Sequence, residues 1–322
     1  MFRFGICTRD QYQKAGKQRR LSGSRVAFSL LEMGEHPTRE EIEIFEDINF
    51  TLRTSNGTCR TTFRNRLQDL DAATIKILAP LYPRDFALGV EDRAVSHGLT
   101  SVELARQLYP AFPNARFEAS DRLLHLTVVS FATGERYIVE PEGKPLQYIN
   151  PPFVVSLAHN ESRFLPINRC IAAWARRRLR RIPISSDSMA APGEKYYQIT
   201  TISCVHPEVT AFEEANPLFR MRTRSVFDIT APGVHLIRTM NILNKDYFSE
   251  SQLREGAEAV FQSLQHRGIW IVGRTLETDF SNHASFLQKT NDGWQPLGRV
   301  GNGSEMEQFA DLRRPTSMVP LQ

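Results

Sequence analysis

The sequence predicts an α/β protein built on a doubly wound mixed sheet, closed by an antiparallel terminal hairpin, preceded by an N-terminal helical cap and interrupted by an inserted β-rich and helical segment. Three observations predict it. Short apolar runs at 86–90, 115–119, 199–205, 234–237 and 269–272 alternate with stretches of helical periodicity. Two strand-like runs, 283–288 and 295–300, flank Asn291-Asp292-Gly293, a hairpin turn sequence. Between them, 122–198 breaks the alternation with strand-like runs separated by Gly134, Gly143 and Pro151-Pro152.

A chain of 322 residues exceeds the usual single core, so one large domain with additions, or two domains, is expected. The expected division is an arm and cap over 1–79 and an α/β domain over 80–322. Apolar residues are 41% and charged residues 24%, an ordinary globular composition. The formal charge of +4 arises from 40 basic and 36 acidic residues, so any nucleic-acid partner has to be met by a local patch. Cys7, Cys59, Cys170 and Cys204 are widely spaced, which argues against a disulfide framework or a zinc site and for a reducing, cytoplasmic compartment. Near the N-terminus Arg3, Asp10, Lys14, Lys17, Arg19 and Arg20 interrupt every apolar stretch, so neither a signal peptide nor a membrane span is expected there.

Taken in order, 1–25 is polar and basic and reads as a loosely attached arm. Pro37-Thr38-Arg39-Glu40-Glu41 opens a helix with Ile42, Ile44 and Phe45 apolar, Asn56-Gly57 marks a turn, and Phe63 to Leu78 forms a second helix. Phe86 to Val90 reads as a buried strand, Asp92 to Gly98 as the turn after it, and Thr100 with Glu103 as a capping box. The helix carries Leu104, Ala105 and Leu108, and Ala115 to Ala119 is the next strand, ending at Ser120-Asp121. Inside the insertion, 126–131, 136–139 and 153–157 read as strands, and Ile171, Ala175, Leu179 and Ile182 share a helical face opposite Arg176, Arg177, Arg180 and Arg181. Pro192-Gly193 closes it. Ile199 to Val205 reads as a third parallel strand, with Pro207 opening a helix to about Ala215. Val234 to Ile237 is a fourth strand. Ser249 with Gln252 caps a helix over Leu253, Ala257, Val260, Phe261 and Leu264, stopped by Arg267-Gly268, and Ile269 to Val272 is the fifth strand.

The chemistry concentrates in Phe86 to Asp121. Small residues at alternate positions after Asp92 let a backbone approach a ligand closely and let the following helix pack on the strand. Asp121 ends the next strand, where a carboxylate can accept ribose hydroxyls. Asp92, Ala94, Ser96 and Gly98 resemble the acidic residue and three alternating glycines of class I S-adenosylmethionine-dependent methyltransferases, with two glycines replaced. Val234 to Asn244 with Tyr247-Phe248 is similar to the fourth strand and loop of that family, particularly its chemotaxis-receptor branch, and the last strand and hairpin are similar to its fifth and antiparallel seventh strands. The resemblance covers roughly 80–300.

The resemblance implies a Rossmann-like fold and a methyltransferase that uses S-adenosylmethionine, with a small-molecule acceptor favoured over protein and the cap and insertion set on the substrate side. It places Asp92, Ser96 and Gly98 on the methionine moiety and Asp121 on the ribose. Arg122 and Leu123 flank the adenine, and Phe227, between Val226 and Asp228, is its wall. Ser203 to His206 line the pocket, and Arg238, Asn241 and Asn244 face the substrate and the transferred methyl. Methyl transfer is an in-line displacement that positioning and desolvation can drive without a protein nucleophile. The candidate catalytic residues are Asn241 and His206, with His97 a second candidate base. Two readings of other classes stand beside it. One is an NAD(P)-dependent oxidoreductase, which the turn alone permits. The other is a non-catalytic module that binds an anionic partner such as nucleic acid through Arg176 to Arg181, although a docked helix with a solvated basic face explains those arginines as well.

Overall fold

The computed structural model describes residues 5–15, 26–158, 166–182, 197–231, 233–310 and 319–320. In chain order the helices are α1 (Arg9–Lys14), α2 (Arg39–Thr51), α3 (Gln68–Leu78), α4 (Leu99–Ala111), α5 (Pro166–Leu179), α6 (Pro207–Ala215) and α7 (Glu250–Ser263). The strands are β1 (Gly89–Arg93), β2 (Arg116–Asp121), β3 (His125–Phe131), β4 (Arg136–Val139), β5 (Pro145–Asn150), β6 (Phe153–Ser156), β7 (Tyr197–Ser203), β8 (Phe219–Thr223), β9 (Val234–Met240), β10 (Leu264–Thr275), β11 (Asn282–Thr290), β12 (Gly293–Val300) and β13 (Val319–Pro320). The chain divides into two compact units: Met1–Thr61 with Leu123–Pro207, and Thr62–Arg122 with Glu208–Gln322. This differs from the expected cut after residue 79. The two helices expected to form one cap part company, α2 going to the first unit and α3 to the second. The part of the arm at 16–25 and the expected stop at Pro192-Gly193 lie outside the described residues.

The first unit is a five-stranded antiparallel sheet in the order β6-β5-β4-β3-β7. Alternation sorts its side chains between two cores. Val128, Ile138 and Ile149 join Ile44, Phe45 and Ile48 of α2 on one face. Val129, Tyr137 and Tyr148 meet Ala172, Ala175 and Leu179 of α5 on the other. The run at 199–205 is therefore not a third parallel strand. As β7 it pairs antiparallel with β3, from His125 opposite Ser203 to Phe131 opposite Tyr197. Its polar Gln198, Thr200, Thr201 and Ser203 are exposed, the pattern of a sheet edge and not of a strand buried on both faces. The insertion accordingly runs to Pro207.

The second unit holds the Rossmann-like sheet, in the order β13-β12-β11-β10-β9-β1-β2-β8. Strands β8, β2, β1, β9 and β10 are parallel. The third parallel strand is β8, Phe219-Arg-Met-Arg-Thr223, whose alternating arginines hide it in the sequence. The terminal hairpin forms at Asn291-Asp292-Gly293, with β11 antiparallel to both β10 and β12. The capping box at Ser249 and Gln252 is present, and α7 buries Leu253, Ala257 and Val260 against Ile237, Trp270 and Val272. Strand order reverses between β1 and β9, since β2 and β8 follow on one side and β10 on the other. In an open parallel sheet, the crevice beyond the carboxyl ends at such a reversal is where ligands bind. Among the described residues no helix is long and apolar enough to cross a membrane.

Candidate functional site at the carboxyl end of the first parallel strand

The strand expected over Phe86 to Val90 starts later and reaches Arg93, because Phe86 to Leu88 are used in tight backbone turns. The turn that follows is therefore short. Ala94, Ser96 and Gly98 have φ of 59°, 61° and 85°, so all three alternate positions adopt the left-handed conformation that favours glycine. An L-residue there costs roughly 1–2 kcal/mol, so the turn stores strain at Ala94 and Ser96. Space is tight at Gly98 as well, since a Cβ on it would stand 3.2 Å from Met221 Cε and Val209 Cγ1. The turn is tied to the end of β2: the Val95 amide donates to Ser120 O at 3.1 Å and the Ser96 amide to Asp121 Oδ2 at 2.8 Å. The expected capping box at Thr100 and Glu103 does not form. The helix begins at Leu99 with Gly98 as its cap, which places Thr100 inside the first turn, and Glu103 instead accepts the Asn65 amide.

Asp92 lies inside a buried ion-pair cluster. It is 3% exposed and locked to Arg238, which is 0% exposed. Arg238 Nε donates to Asp92 Oδ1 at 2.9 Å and Nη1 to Asp71 Oδ1 at 2.6 Å, while Nη2 reaches Asp92 Oδ2 and Thr100 O. Ser101 Oγ closes the cluster on Asp92 Oδ2 at 2.6 Å. Burial works against the Arg238 charge, but the Asp92 and Asp71 carboxylates outweigh it and raise its pKa above the ordinary value. Burial pushes Asp71 up to about 7, and its Oδ2 is buried without a hydrogen-bond partner. Arg238 therefore joins β9 to β1 and α3.

Asn241 and Asn244 are likewise committed. Asn241 has φ 62°. Its Oδ1 accepts the Thr275 amide at 2.6 Å and its own amide donates to Gly273 O at 2.8 Å, so it fastens the end of β9 to β10. Asn244 Oδ1 accepts the Asp246 amide at 3.0 Å and its Nδ2 donates to Asn241 O at 3.4 Å, which shapes the loop itself. His206 belongs to the first unit. It is 2% exposed, with Nε2 3.2 Å from Glu46 Oε1 and its ring edge-on to Phe45. Ser203 to Val205 are also there, ending β7. Arg238, Asn241, Asn244 and His206 are thus all engaged with other groups of the protein.

The second unit gathers Ser96, Gly98, Asp121, Arg122 and Phe227 around the carboxyl ends of β1, β2 and β8. Phe227 is half-buried in the loop after β8, its ring edge-on to Phe248 at 5.0 Å. Sequence reasoning missed Arg93, whose guanidinium is fixed on this loop. The available clue was a run of three charges, Glu91-Asp92-Arg93, inside the central strand, where apolar residues are the rule. In the first unit, Arg176 donates to Leu157 O, and Arg178 pairs with Glu135 over the Phe131 ring, leaving Arg177, Arg180 and Arg181 as an exposed basic face. Among the described residues no cluster of three His, Cys, Asp or Glu side chains could hold a metal ion.

No family model matches the chain and no curated protein matches it. Similar solved structures include an O-methyltransferase family protein of Burkholderia thailandensis, at 12% identity and TM-score 0.30 over 84% of this chain and 53% of that one. An O-methyltransferase family 2 protein of Planctomyces limnophilus, in complex with apigenin, shares 12% identity at TM-score 0.28 over 73% and 49%. A sugar N-methyltransferase of a Streptoalloteichus species shares 10% identity at TM-score 0.30 over 76% of each chain. The chain thus spans about half the length of the two O-methyltransferases. Likeness at this level does not reach the arrangement of a site.

Proposed function

We propose that the second unit binds S-adenosylmethionine and that the protein transfers its methyl group to a small-molecule acceptor. The observation that carries this reading is the turn at the strand-order reversal: three alternate left-handed positions between β1 and α4, clasped by the carboxylate that ends β2. The antiparallel β11 beside β10 is the arrangement implied by the resemblance to class I methyltransferases and favours this cofactor over a dinucleotide. The residues fit the cofactor in part. The turn and Asp121 suit it, whereas Asp92 is already neutralised by Arg238 and is not a cofactor ligand in this reading.

The backbone at Ser96 and Gly98 approaches the methionine end, Asp121 accepts the ribose hydroxyls, and Arg122 and Phe227 border the adenine. When bound, the cofactor supplies a methyl group on a positively charged sulfur, which an acceptor displaces in line. The protein's own part is to position and exclude water. No side chain is assigned to proton transfer.

Calorimetric titration with S-adenosylhomocysteine tests the reading. Binding to wild type, at least tenfold weaker in Asp121→Ala, is expected; Asp121→Asn keeps an acceptor for the Ser96 amide and separates the ribose contact from the integrity of the turn. Folded wild type that takes up no S-adenosylhomocysteine, or that binds NADH in its place, overturns it.

A further inference from the structure

We infer that Arg93 is a positioning residue that forms the adenine side of the cofactor pocket before the ligand arrives, an inference that rests on the cofactor reading above. Arg93 ends β1 and is 1% exposed. Strand alternation turns it away from the Asp92 cluster. Its Nε and Nη2 donate to Glu91 Oε2 at 2.9 and 2.6 Å. Nη1 donates to Asp228 O at 2.9 Å and reaches Val226 O at 3.5 Å, and Nη2 donates to Thr230 Oγ1 at 3.1 Å. All five N–H groups of the guanidinium thus have an acceptor, and three of those acceptors belong to the loop that carries Phe227.

That loop, 224–231, lies between β8 and β9 and has neither helix nor strand hydrogen bonds to hold it. Its ties to the rest of the unit besides Arg93 lie at its ends: the Arg224 amide to Asp121 O at 3.1 Å, the Arg224 side chain to Glu118, and the Thr230 amide to Ser263 Oγ at 3.0 Å. Within it the Ser225 amide donates to Asp228 Oδ2 at 2.9 Å, the Phe227 amide to Ser225 Oγ at 3.3 Å and the Asp228 amide to Ser225 O at 3.2 Å. Arg93 grips the middle, at the carbonyls on either side of Phe227. A loop of this kind is ordinarily among the first parts of a fold to open. Fixing it in advance removes an ordering cost that the ligand would otherwise meet. Glu91 takes the Nε and Nη2 side of the guanidinium while Nη1 faces the carbonyls, a division of donors that the compact ammonium of lysine cannot reproduce.

The test uses the full chain and two readouts. In Arg93→Met, and in Glu91→Gln/Arg93→Met, which removes the buried pair together, amides 225–231 of the unliganded protein are expected to exchange hydrogen at least tenfold faster, with β9 and β10 unchanged. The affinity for S-adenosylhomocysteine falls at least tenfold in both, and the loss disappears when Phe227→Ala is the background, because Arg93 acts through that ring. Thr230→Val removes one loop bond and leaves the Glu91 pair, so it gives a smaller change in the same direction even where the Arg93 variants fold poorly. Wild type that binds while the Arg93 variants bind equally well, or variants whose loss persists undiminished without Phe227, overturns the inference and leaves the cofactor reading standing. Wild type that does not bind overturns both.

Discussion

Asp92 and Arg93 are neighbours on one strand, yet their two faces of the sheet use charge in opposite ways. On the Asp92 face every partner sits on regular structure: Arg238 on β9, Asp71 on α3, Thr100 and Ser101 on α4. On the Arg93 face the partners are Glu91 of the same strand and the carbonyls and Thr230 hydroxyl of a loop. The first arrangement locks helices to the sheet beneath the turn. The second shapes the rim beside it. Buried charge is costly in either place, and what the molecule gains is set by whether the acceptors lie on a rigid element or on a segment that would otherwise move.

The comparison is broken most severely at Arg238. Arg238→Met leaves Asp92 and Asp71 buried and unpaired, and is expected to lower unfolding stability by roughly 3–5 kcal/mol in chemical denaturation; a loss below about 1 kcal/mol would mean that the cluster is not closed. A second prediction concerns the pH dependence of the same face. Asp71 is pushed up from 3.8 to about 7 by burial, with Asp92 and Glu103 adding to the rise and Arg238 opposing it. The folded state then holds a proton that the unfolded state has released, so this group lowers stability as pH rises from about 4 through 7. Asp71→Asn should remove that part of the decline between about pH 4 and pH 7, and a wild-type curve that rises there and is unaltered in the variant contradicts the assignment. The smallest effect belongs to the turn between the faces. Ala94→Gly relieves a left-handed alanine and should raise stability by about 1 kcal/mol, measured as an increased denaturation midpoint.

Much of the second unit's order was legible because its devices are local. The Ser249 and Gln252 cap, the hairpin at Asn291-Asp292-Gly293 and the small residues after Asp92 all act within a few positions of themselves. The edge strand at 197–203 was misread because apolar residues flanking threonines resemble a parallel strand until pairing with β3 is known. Strand β8 was missed because its arginines alternate with its buried residues. The turn of the candidate site was legible as backbone, whereas the partners of its charged and amide side chains were not. Arg238, Asn241 and Asn244 stand where a resemblance places functional groups; Arg238 and Asn241 are taken by partners distant in sequence, and Asn244 by its neighbours Asn241 and Asp246.

By itself the sequence determined the alternation of strands and helices, the turn's small residues and the acid at the end of β2, since these follow from periodicity, conformational preference and short spacing. Only the tertiary structure decided which charges are structural. Asp71, Asp92 and Arg238 lie far apart along the chain and meet because parallel pairing brings β1 beside β9 under α3. Whether a buried carboxylate is a ligand or half of an ion pair depends on what faces it, and that is fixed by packing, not by the residue or its neighbours in sequence.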